Sequence, residues 1–442
     1  MLVPSLRIRT GIPAAFGEAI NHSRPQRVLS EHILVFLRYR GRDNPNELER
    51  YTYRTKVWRG EPSLPGLIPI NQPLFGSEEQ ELVRKVLESG LITSAASDGQ
   101  YVKKFEEGIS KFVSSRYATA VSSGTAALHA ALVAAEISKG DCVIMPSFTS
   151  VAAAEAILLA GARPVLADID PETYTISRDS IEENLSSRTK AVIVTHLYGL
   201  PADVESIKEL AQDKGLVLIE DAAHALGAEY KGKRIGSLGD MACFSFYATK
   251  NITTGEGGMV TTNIEEYAER LRSFRCHGES KRHESSQLGT NYRMSEIQAA
   301  IGVAQLSKLS KFLSRRKRNA TILTSELVGA SEIQLPVEPE GRSHSWNLYT
   351  IRIKTGGRHS TKRDKMVKSL ESKGIQAGVY YPLPVHLMPY YREILRIPSG
   401  SLPNSELAAR TVLSLPVHPR LDDKGMALVV EAVQRSIEKL SR

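Results

Sequence analysis

Residues 241 to 260 read MACFSFYATKNITTGEGGMV, an apolar run followed by a polar, glycine-rich turn and a second apolar run. The first run predicts a buried strand that places Ser245 and then Lys250 at its carboxyl end. The glycines of GEGG let the chain reverse closely around a bound group, because glycine lacks a Cβ. A lysine at such a strand end, in a partly desolvated site, is typical of an amine that attacks a carbonyl group and then moves protons. An exposed surface lysine would leave its polar and glycine neighbours unexplained.

Short apolar runs of the same kind recur along the chain. They occupy residues 142–146, 164–167, 191–195, 216–219, 243–246 and 258–262, and helical or glycine-containing segments separate them. This alternation predicts an α/β fold in which a mostly parallel sheet is covered by helices on both faces. Ligands of such sheets bind at the carboxyl ends of the strands. Helices are predicted from Ser77 to about Gly90 and from Ser295 to about Arg318.

The chain divides into three parts by composition and pattern. Residues 1–66 hold ten Arg and one Lys against six acidic residues, a net charge of +5, whereas the whole chain of 442 residues carries +8. We interpret 1–66 as an Arg-rich extension that is either disordered or upstream sequence read from a wrongly assigned start codon. Residues 67–310 are predicted to form a large ligand-binding domain, and 311–442 a smaller C-terminal α+β domain.

Composition and charge exclude several classes of protein. The 41% hydrophobic and 24% charged content is typical of a globular protein, and no apolar run reaches the roughly 18 residues of a membrane span. Because the body of the chain is nearly neutral, nucleic acid is not an expected partner, and the basic run RRKR at 315–318 is interpreted as a solvated helix face. Cys142, Cys243 and Cys276 are too widely spaced for a disulfide framework or a metal site. With no secretory signal, the sequence predicts a cytoplasmic protein.

A carboxylate ends the apolar run of VLIEDAAHALG, residues 217–227. The predicted strand ends at Glu220 and Asp221, and His224 follows three residues after Asp221. One reading of Asp221 is an ordinary helix N-cap. The other is an acid opposite the ring nitrogen of a pyridine cofactor, because an ionised carboxylate stabilises the protonated, electron-accepting ring. His224 then lies where it can touch the ring, although a lone histidine is more often a satisfied core residue.

Two further stretches place polar residues before helices. VSSGTAALHAAL at 121–132 puts Gly124 and Thr125 at the start of a strongly helical run, where free backbone N–H groups can cradle a phosphate. Taken alone, the pattern is more typical of an ordinary Ser or Thr N-cap. GTNYRMSEIQAAIG at 289–302 predicts only a capped helix, which Asn291 and Arg293 precede.

In combination these motifs resemble one family, the DegT/StrS group of pyridoxal-phosphate-dependent nucleotide-sugar aminotransferases, which have fold type I, the aspartate aminotransferase-like architecture. The likeness runs from about Ile68 to near the C-terminus. Seven motifs occur along the chain in the order typical of the family: SSGTAAL, PSFTSVA, EDAAHA, FSFYATKNITTGEGG, NYRMSEIQAAIG, YYPLPVHLMPYY and SLPVHP. The resemblance implies a large domain with a mostly parallel mixed sheet and a smaller C-terminal domain.

The resemblance also implies roles for individual residues. Lys250 is expected to be the catalytic residue and to hold pyridoxal 5'-phosphate as a Schiff base. Asp221 is expected to pair with the pyridine nitrogen, and His224 to lie beside the ring. Four residues are expected to bind the cofactor through its phosphate: Gly124, Thr125, Ala126 and Ser245.

Three more residues are implied at the edge of the site. Asn291 is expected to reach the phosphate bound by the neighbouring subunit, which implies a homodimer with shared active sites. Arg293 is expected to contact the carboxylate of the amino donor, and His386 the substrate. No metal ion is expected.

Ser150 and Cys276 are two positions at which the family's pattern bears on the interpretation. Ser150 of PSFTSVA stands where the family commonly has an aromatic residue that stacks on the cofactor ring, so either Phe148 compensates or the ring is held less tightly. Cys276, in RCHGES, is interpreted as a neutral substitution rather than a nucleophile.

The implied function is amino transfer from an amino acid, L-glutamate, to the keto group of a nucleotide-linked sugar, for amino-sugar and polysaccharide biosynthesis. Three alternatives were weighed: a sugar dehydratase of the same fold, sulfur transfer from cysteine, and a non-enzymatic regulator. The resemblance implies that the dehydratases have His where Lys250 stands. Sulfur transfer would need a nucleophile such as Cys276, and a regulator would be expected to have lost Lys250 or Asp221.

Overall fold

The fold is given by a computed structural model that describes residues 67–94, 99–281, 283–354 and 362–440, so the predicted extension 1–66 lies outside the described residues. The strands in this part of the chain are β1 Tyr117–Val121, β2 Cys142–Pro146, β3 Arg163–Ala167, β4 Thr189–Thr195, β5 Val217–Asp221, β6 Glu229–Tyr230, β7 Lys233–Arg234, β8 Met241–Ser245, β9 Gly258–Thr262, β10 Glu279–Lys281, β11 Glu284–Ser285, β12 Ile333–Gln334, β13 Arg342–Ser343, β14 Tyr349–Ile353 and β15 Val412–Leu415. The helices are α1 Ser77–Ser89, α2 Gln100–Val113, α3 Gly124–Ala134, α4 Ala152–Leu159, α5 Arg178–Glu182, α6 Val204–Lys214, α7 Glu265–Phe274, α8 Glu296–Leu327, α9 Lys362–Glu371, α10 Pro389–Leu395, α11 Pro403–Thr411 and α12 Asp423–Leu440.

A seven-stranded sheet forms the centre of the fold, in the order β1-β9-β8-β5-β4-β2-β3. Strands β3, β2, β4, β5 and β8 pair in parallel, and β9 runs antiparallel to both of its neighbours, β8 and β1. The predicted α/β fold with a mostly parallel sheet is therefore confirmed. The predicted runs 142–146 and 258–262 coincide with β2 and β9.

The central strands are buried on both faces. Successive side chains of a strand point to opposite faces of its sheet. Accordingly, Val143, Met145 and Ile193 pack in one core with helices α3, α4 and α7, whereas Ile144 and Val192 pack in another with α2, α6 and α8. Two-sided burial explains why these strands read as continuous apolar runs rather than alternating ones.

Helix α8 connects the central sheet to a second, smaller one. It begins after Ser295, whose side chain accepts a hydrogen bond from the N–H of Gln298 (3.2 Å), and it continues past the predicted end at Arg318 to Leu327. The second sheet has the order β12-β14-β15, and its core includes Leu323 of α8 together with side chains of α9 and α12. The proposed domain boundary at residue 310 falls inside this helix, and the division into 67–310 and 311–442 stays a prediction.

The basic run at 315–318 is only partly a solvated face. Arg315, Lys317 and Arg318 are exposed, but Arg316 is 2% exposed. The interpretation of the whole run as solvated is therefore wrong for Arg316. The physical reason is helical spacing: Arg316 follows buried Phe312 by four residues and lies on the stripe that faces the protein interior.

None of the described helices is long and apolar enough to cross a membrane. The thiols of Cys142, Cys243 and Cys276 are all free.

Candidate active site

The carboxyl ends of the central strands open into one cavity of about 260 Å³. Six of the residues singled out in the sequence line it: Gly124, Thr125, Asp221, His224, Ser245 and Lys250. They come from three separate stretches, and the sheet brings these stretches together because parallel strands end at the same edge.

Lys250 lies in the turn that follows β8. Its backbone N–H donates to the carbonyl of Tyr247 at 2.9 Å, which helps to close the turn. Burial lowers the pKa of Lys250 to about 8, and the negative charge of Asp221 limits that fall. Near neutral pH the unprotonated, nucleophilic fraction of the amine is therefore much larger than that of an ordinary lysine.

Asp221 is the last residue of β5 and is 4% exposed. Burial raises its pKa, while the N–H of Ala223 (3.2 Å from Oδ1) and the positive charge of Lys250 oppose the rise. A cationic group placed against this carboxylate would favour its ionised form. Asp221 is thus suited to hold a protonated ring nitrogen.

His224 is held as a neutral ring. Its Nδ1 accepts a hydrogen bond from the backbone N–H of Tyr198 at 3.2 Å, so the proton of the neutral imidazole is on Nε2. Burial lowers the pKa of His224 well below its usual value, and the charge of Lys250 lowers it further. His224 therefore presents a neutral N–H donor beside the cavity.

The N-terminus of α3 forms an anion cradle against β8 and β9. A Cβ added to Gly124 would lie 2.8 Å from the Cβ of Ser245, and one added to Gly258 would lie 2.2 Å from the carbonyl oxygen of Ser123. Glycine is thus required for the close approach of these backbones. Ser123 caps the helix, because its Oγ accepts the N–H of Ala126 at 3.1 Å. That bond already uses the N–H of Ala126, whose predicted contact with phosphate stays a prediction.

The cavity contains an aromatic residue to which the sequence assigned no role. Tyr381 lines the wall near Asp221, and its hydroxyl interacts with the side chain of Ser150. Phe148 does not take this place: it is fully buried, with its ring centroid 6.4 Å from that of Tyr381. The small side chain of Ser150 and the phenol of Tyr381 thus share one part of the wall. The motif YYPLPVH, which begins with Tyr380 and Tyr381, indicated a tyrosine near the site, but the sequence does not show which of the two faces the cavity.

Besides Ala126, three predicted site residues are absent from the lining of this cavity. Asn291 is exposed and pairs by backbone with Cys276, and Arg293 donates from Nη1 to Cys276 Sγ at 3.4 Å. His386 is fully buried: Ser147 Oγ donates to its Nδ1 at 2.7 Å, and its Nε2 donates to the carboxylate of Glu406 at 3.3 Å. The roles assigned to Asn291, Arg293 and His386 stay predictions.

The cavity offers three complementary groups: a nucleophilic amine, a carboxylate and a helix N-terminus for an anion. Pyridoxal phosphate carries the matching aldehyde, ring nitrogen and phosphate, so the donor set fits this cofactor. The fold and the site together define a pyridoxal-phosphate-dependent enzyme of fold type I.

The comparisons with known proteins extend this assignment. The family model of the DegT/DnrJ/EryC1/StrS aminotransferase family matches residues 73–434. A pleiotropic regulatory protein of Geobacillus stearothermophilus is 40% identical over 374 residues, which are 82% of this chain and 98% of that protein.

Solved structures match over the same region. DesV of S. venezuelae, in complex with a ketimine intermediate, is 37% identical, with a TM-score of 0.77 over 82% of this chain and 95% of its own. The pyridoxal-phosphate form of a putative sugar aminotransferase, Spr1654 of Streptococcus pneumoniae, is 28% identical, with a TM-score of 0.79 over 85% of this chain and 99% of its own.

The chain belongs to the DegT/DnrJ/EryC1/StrS aminotransferase family. The family and fold type expected from the sequence are confirmed, as are the class of enzyme, a sugar aminotransferase, and its cofactor, pyridoxal 5'-phosphate.

Proposed function

We propose that the enzyme moves an amino group from an amino acid, L-glutamate, to the keto group of a nucleotide-linked sugar. The observation that carries this proposal is the single cavity in which Lys250, Asp221 and the anion cradle of α3 meet. The glutamate donor and the nucleotide linkage are supported by the likeness of the motifs to the nucleotide-sugar aminotransferases. The product is an amino sugar of the kind used in polysaccharide biosynthesis.

Lys250 is the residue that binds the cofactor covalently and then handles the transferred proton. When bound, pyridoxal phosphate supplies a carbonyl carbon and a ring that accepts the electrons of the bond broken in the substrate. Once an incoming amine has displaced Lys250, its Nζ is free to accept the proton from the α-carbon of the donor. A pKa of about 8 suits this task, because the amine can both take up and release a proton near neutral pH.

Asp221 and the cradle keep the cofactor in place during this cycle. The carboxylate of Asp221 keeps a proton on the ring nitrogen, while the N-terminus of α3, with Thr125 and Ser245, binds the phosphate. The neutral His224 donates from Nε2 to the ring's polar substituent. Rigid placement on strand ends and a helix start supplies rate through positioning.

A homodimer in the cytoplasm is part of the proposal. Asn291 is exposed and lies outside the cavity of its own chain, as a residue that serves a neighbouring subunit would. Leu91, Ile92 and Leu288 are 53%, 47% and 89% exposed and would be covered by such a partner. The three free thiols are in keeping with a reducing compartment.

The alternative functions receive less support from the site. Lys250 stands where the resemblance implies His in the dehydratases. A regulator without enzymatic activity would not need an amine and a carboxylate buried together, since both are costly to desolvate.

A spectrum and a trapping experiment test the proposal. Protein purified with pyridoxal phosphate should show a visible absorption band that changes when L-glutamate is added. In a sample to which no L-glutamate is added, borohydride should fix the cofactor to the peptide that contains Lys250, which mass spectrometry identifies. Lys250→Ala should abolish the band and the amination of keto sugar nucleotides, whereas the exposed control Lys139→Ala should retain both. Full turnover by Lys250→Ala, or a colourless holoprotein, would overturn the proposal.

A further inference from the structure

The turn that carries Lys250 is held by side chains from distant parts of the chain. After β8 ends, the carbonyl of Ala248 accepts a hydrogen bond from Asn71 Nδ2 at 3.5 Å, and the carbonyl of Thr249 accepts one from Asn347 Nδ2 at 3.2 Å. These are the two peptide groups directly before Lys250. Neither carbonyl takes part in the hydrogen bonds between strands of the sheet. The two side-chain amides therefore help to fix the backbone that leads to Lys250.

The residue after Lys250 is held in the same way. Asn251 is 5% exposed, and its Nδ2 donates to the carbonyls of Leu226 at 3.0 Å and Ser345 at 3.4 Å. Its Oδ1 accepts from Asn347 Nδ2 at 3.2 Å. Asn347 therefore links the two sides of Lys250, at the Thr249 carbonyl and the Asn251 side chain.

Arg316 of α8 donates hydrogen bonds to the side chain of Asn71 and to the backbone of Asn347. Its Nη2 donates to Asn71 Oδ1 at 3.2 Å, which directs Nδ2 of that amide toward Ala248. Its Nη1 donates to the backbone carbonyls of Trp346 and Asn347, at 3.2 and 3.1 Å. A guanidinium with five donors in a fixed plane can hold these three acceptors at once.

The cost of burying Arg316 makes a purely space-filling role a poor explanation. Burial lowers the pKa of Arg316 to about 10, and no carboxylate in the described ranges pairs with it. An apolar side chain would fill the same volume without that desolvation cost. Arg316, Asn71 and Lys250 line one space of about 10 Å³, too small for a ligand beyond a single water.

We propose that Arg316 is a positioning residue for Lys250, acting through Asn71 and Asn347. Arg316 holds the side chain of Asn71 and the backbone of Asn347 in place. The side-chain amides of these two residues in turn hold the chain before and after the lysine. Such support matters because the position of the Lys250 Nζ determines which atoms it can contact. The Nζ of Lys250 has to meet the cofactor and later the donor's α-carbon, and a misplacement of about 1 Å in such alignment costs about a hundredfold in rate. The proposal rests on the role given to Lys250 above.

The test compares Arg316→Met with a matched control on the same helix. Asn319 is also buried, and its Nδ2 donates to the carbonyls of Val417 and His418, but it has no bond to the Lys250 turn. Both Arg316→Met and Asn319→Ala are expected to lower the thermal midpoint of unfolding. Only Arg316→Met is expected to lower kcat, by about a hundredfold with little change in KM, and to shift the pH midpoint of the visible band.

Further variants separate positioning from general destabilisation. Arg316→Lys should recover part of kcat, and Asn347→Ala should reproduce the spectral shift without adding to it in the double variant with Arg316→Met. If Arg316→Met does not fold, Asn347→Ala alone carries the same spectral and kinetic test. An unchanged band and kcat in the folded variants, or equal changes in Asn319→Ala, would overturn the proposal.

Borohydride trapping in the wild-type enzyme distinguishes this failure from failure of the proposed function. If the cofactor is fixed to Lys250 and the Arg316 and Asn347 variants behave like wild type, only the positioning role is wrong. If it is fixed elsewhere, the role of Lys250 is wrong as well.

Discussion

Asp221 and Lys250 line the same cavity, Asp221 at the end of β5 and Lys250 in the turn after β8. The charge of Lys250 lowers the pKa of Asp221, and the charge of Asp221 raises the pKa of Lys250. Strands β5 and β8 are parallel neighbours, with Asp221 in register with Cys243. The two functional groups therefore approach each other although 28 residues separate them in the chain. Burial makes the amine easier to deprotonate, and the carboxylate limits the effect.

Capture of pyridoxal phosphate by the apoprotein should accelerate as the pH rises through about 8, because the neutral Nζ of Lys250 is the nucleophile and its pKa is lowered to about 8. Below that pH the amine is protonated and the reaction should slow. Stopped-flow recording of the visible band at a series of pH values measures this midpoint. Asp221→Asn should move the midpoint to lower pH, because the negative charge of Asp221 raises the pKa of Lys250. A wild-type midpoint near 10.5, the ordinary value for lysine, would contradict the expectation.

Asp221→Ala should leave a protein that still binds the cofactor but transaminates at least about a hundredfold more slowly, because the ring nitrogen loses the carboxylate that keeps it protonated. Single-turnover kinetics with L-glutamate measure the loss. Asp213→Ala, which removes an exposed carboxylate, serves as the control. Near-normal turnover in Asp221→Ala would remove this residue from its proposed role.

Tyr381→Phe and Ser150→Ala should each weaken the binding of pyridoxal phosphate a few-fold, because both remove the interaction between the two side chains in the cavity wall. The double variant should be little worse than either single one, with a coupling of about 1 kcal/mol. Titration of the apoprotein with the cofactor gives the three dissociation constants. Tyr390→Phe, which removes an exposed hydroxyl outside the cavity lining, is the control. Independent, additive effects would show that the interaction between Tyr381 and Ser150 does not contribute to cofactor binding.

His386→Ala should lower the free energy of unfolding by about 2–4 kcal/mol, because it leaves the buried hydroxyl of Ser147 without its acceptor and removes one of the hydrogen-bond donors to the carboxylate of Glu406. KM for the keto sugar should change little, since His386 is fully buried away from the cavity. Urea unfolding and steady-state kinetics measure the two effects. A raised KM with unchanged stability would instead support the substrate contact predicted from the sequence.

Local sequence pattern was sufficient for six of the seven strands of the central sheet, but not for β1, and it picked out six of the residues that line the cavity. Strand runs such as 142–146 and 258–262 could be read directly, because two-sided burial leaves short uninterrupted apolar segments bounded by turns. Asp221 and Ser245 could be placed because they end strands, and Lys250 because it follows one; the ends of parallel strands meet. The end of α8 was less predictable, since no breaker residue stops the helix at Arg318.

The remaining features depend on contacts between segments far apart in the chain. The sequence by itself determined the α/β fold and the chemistry offered at the strand ends, because periodicity, turns and helix caps are local properties. Only the tertiary structure decided that Tyr381 meets Ser150, that His386 and Arg316 are buried, and that the pKa of Lys250 falls to about 8. Each of these depends on which distant segments exclude water from a given side chain, and desolvation is set by packing rather than by neighbours in sequence.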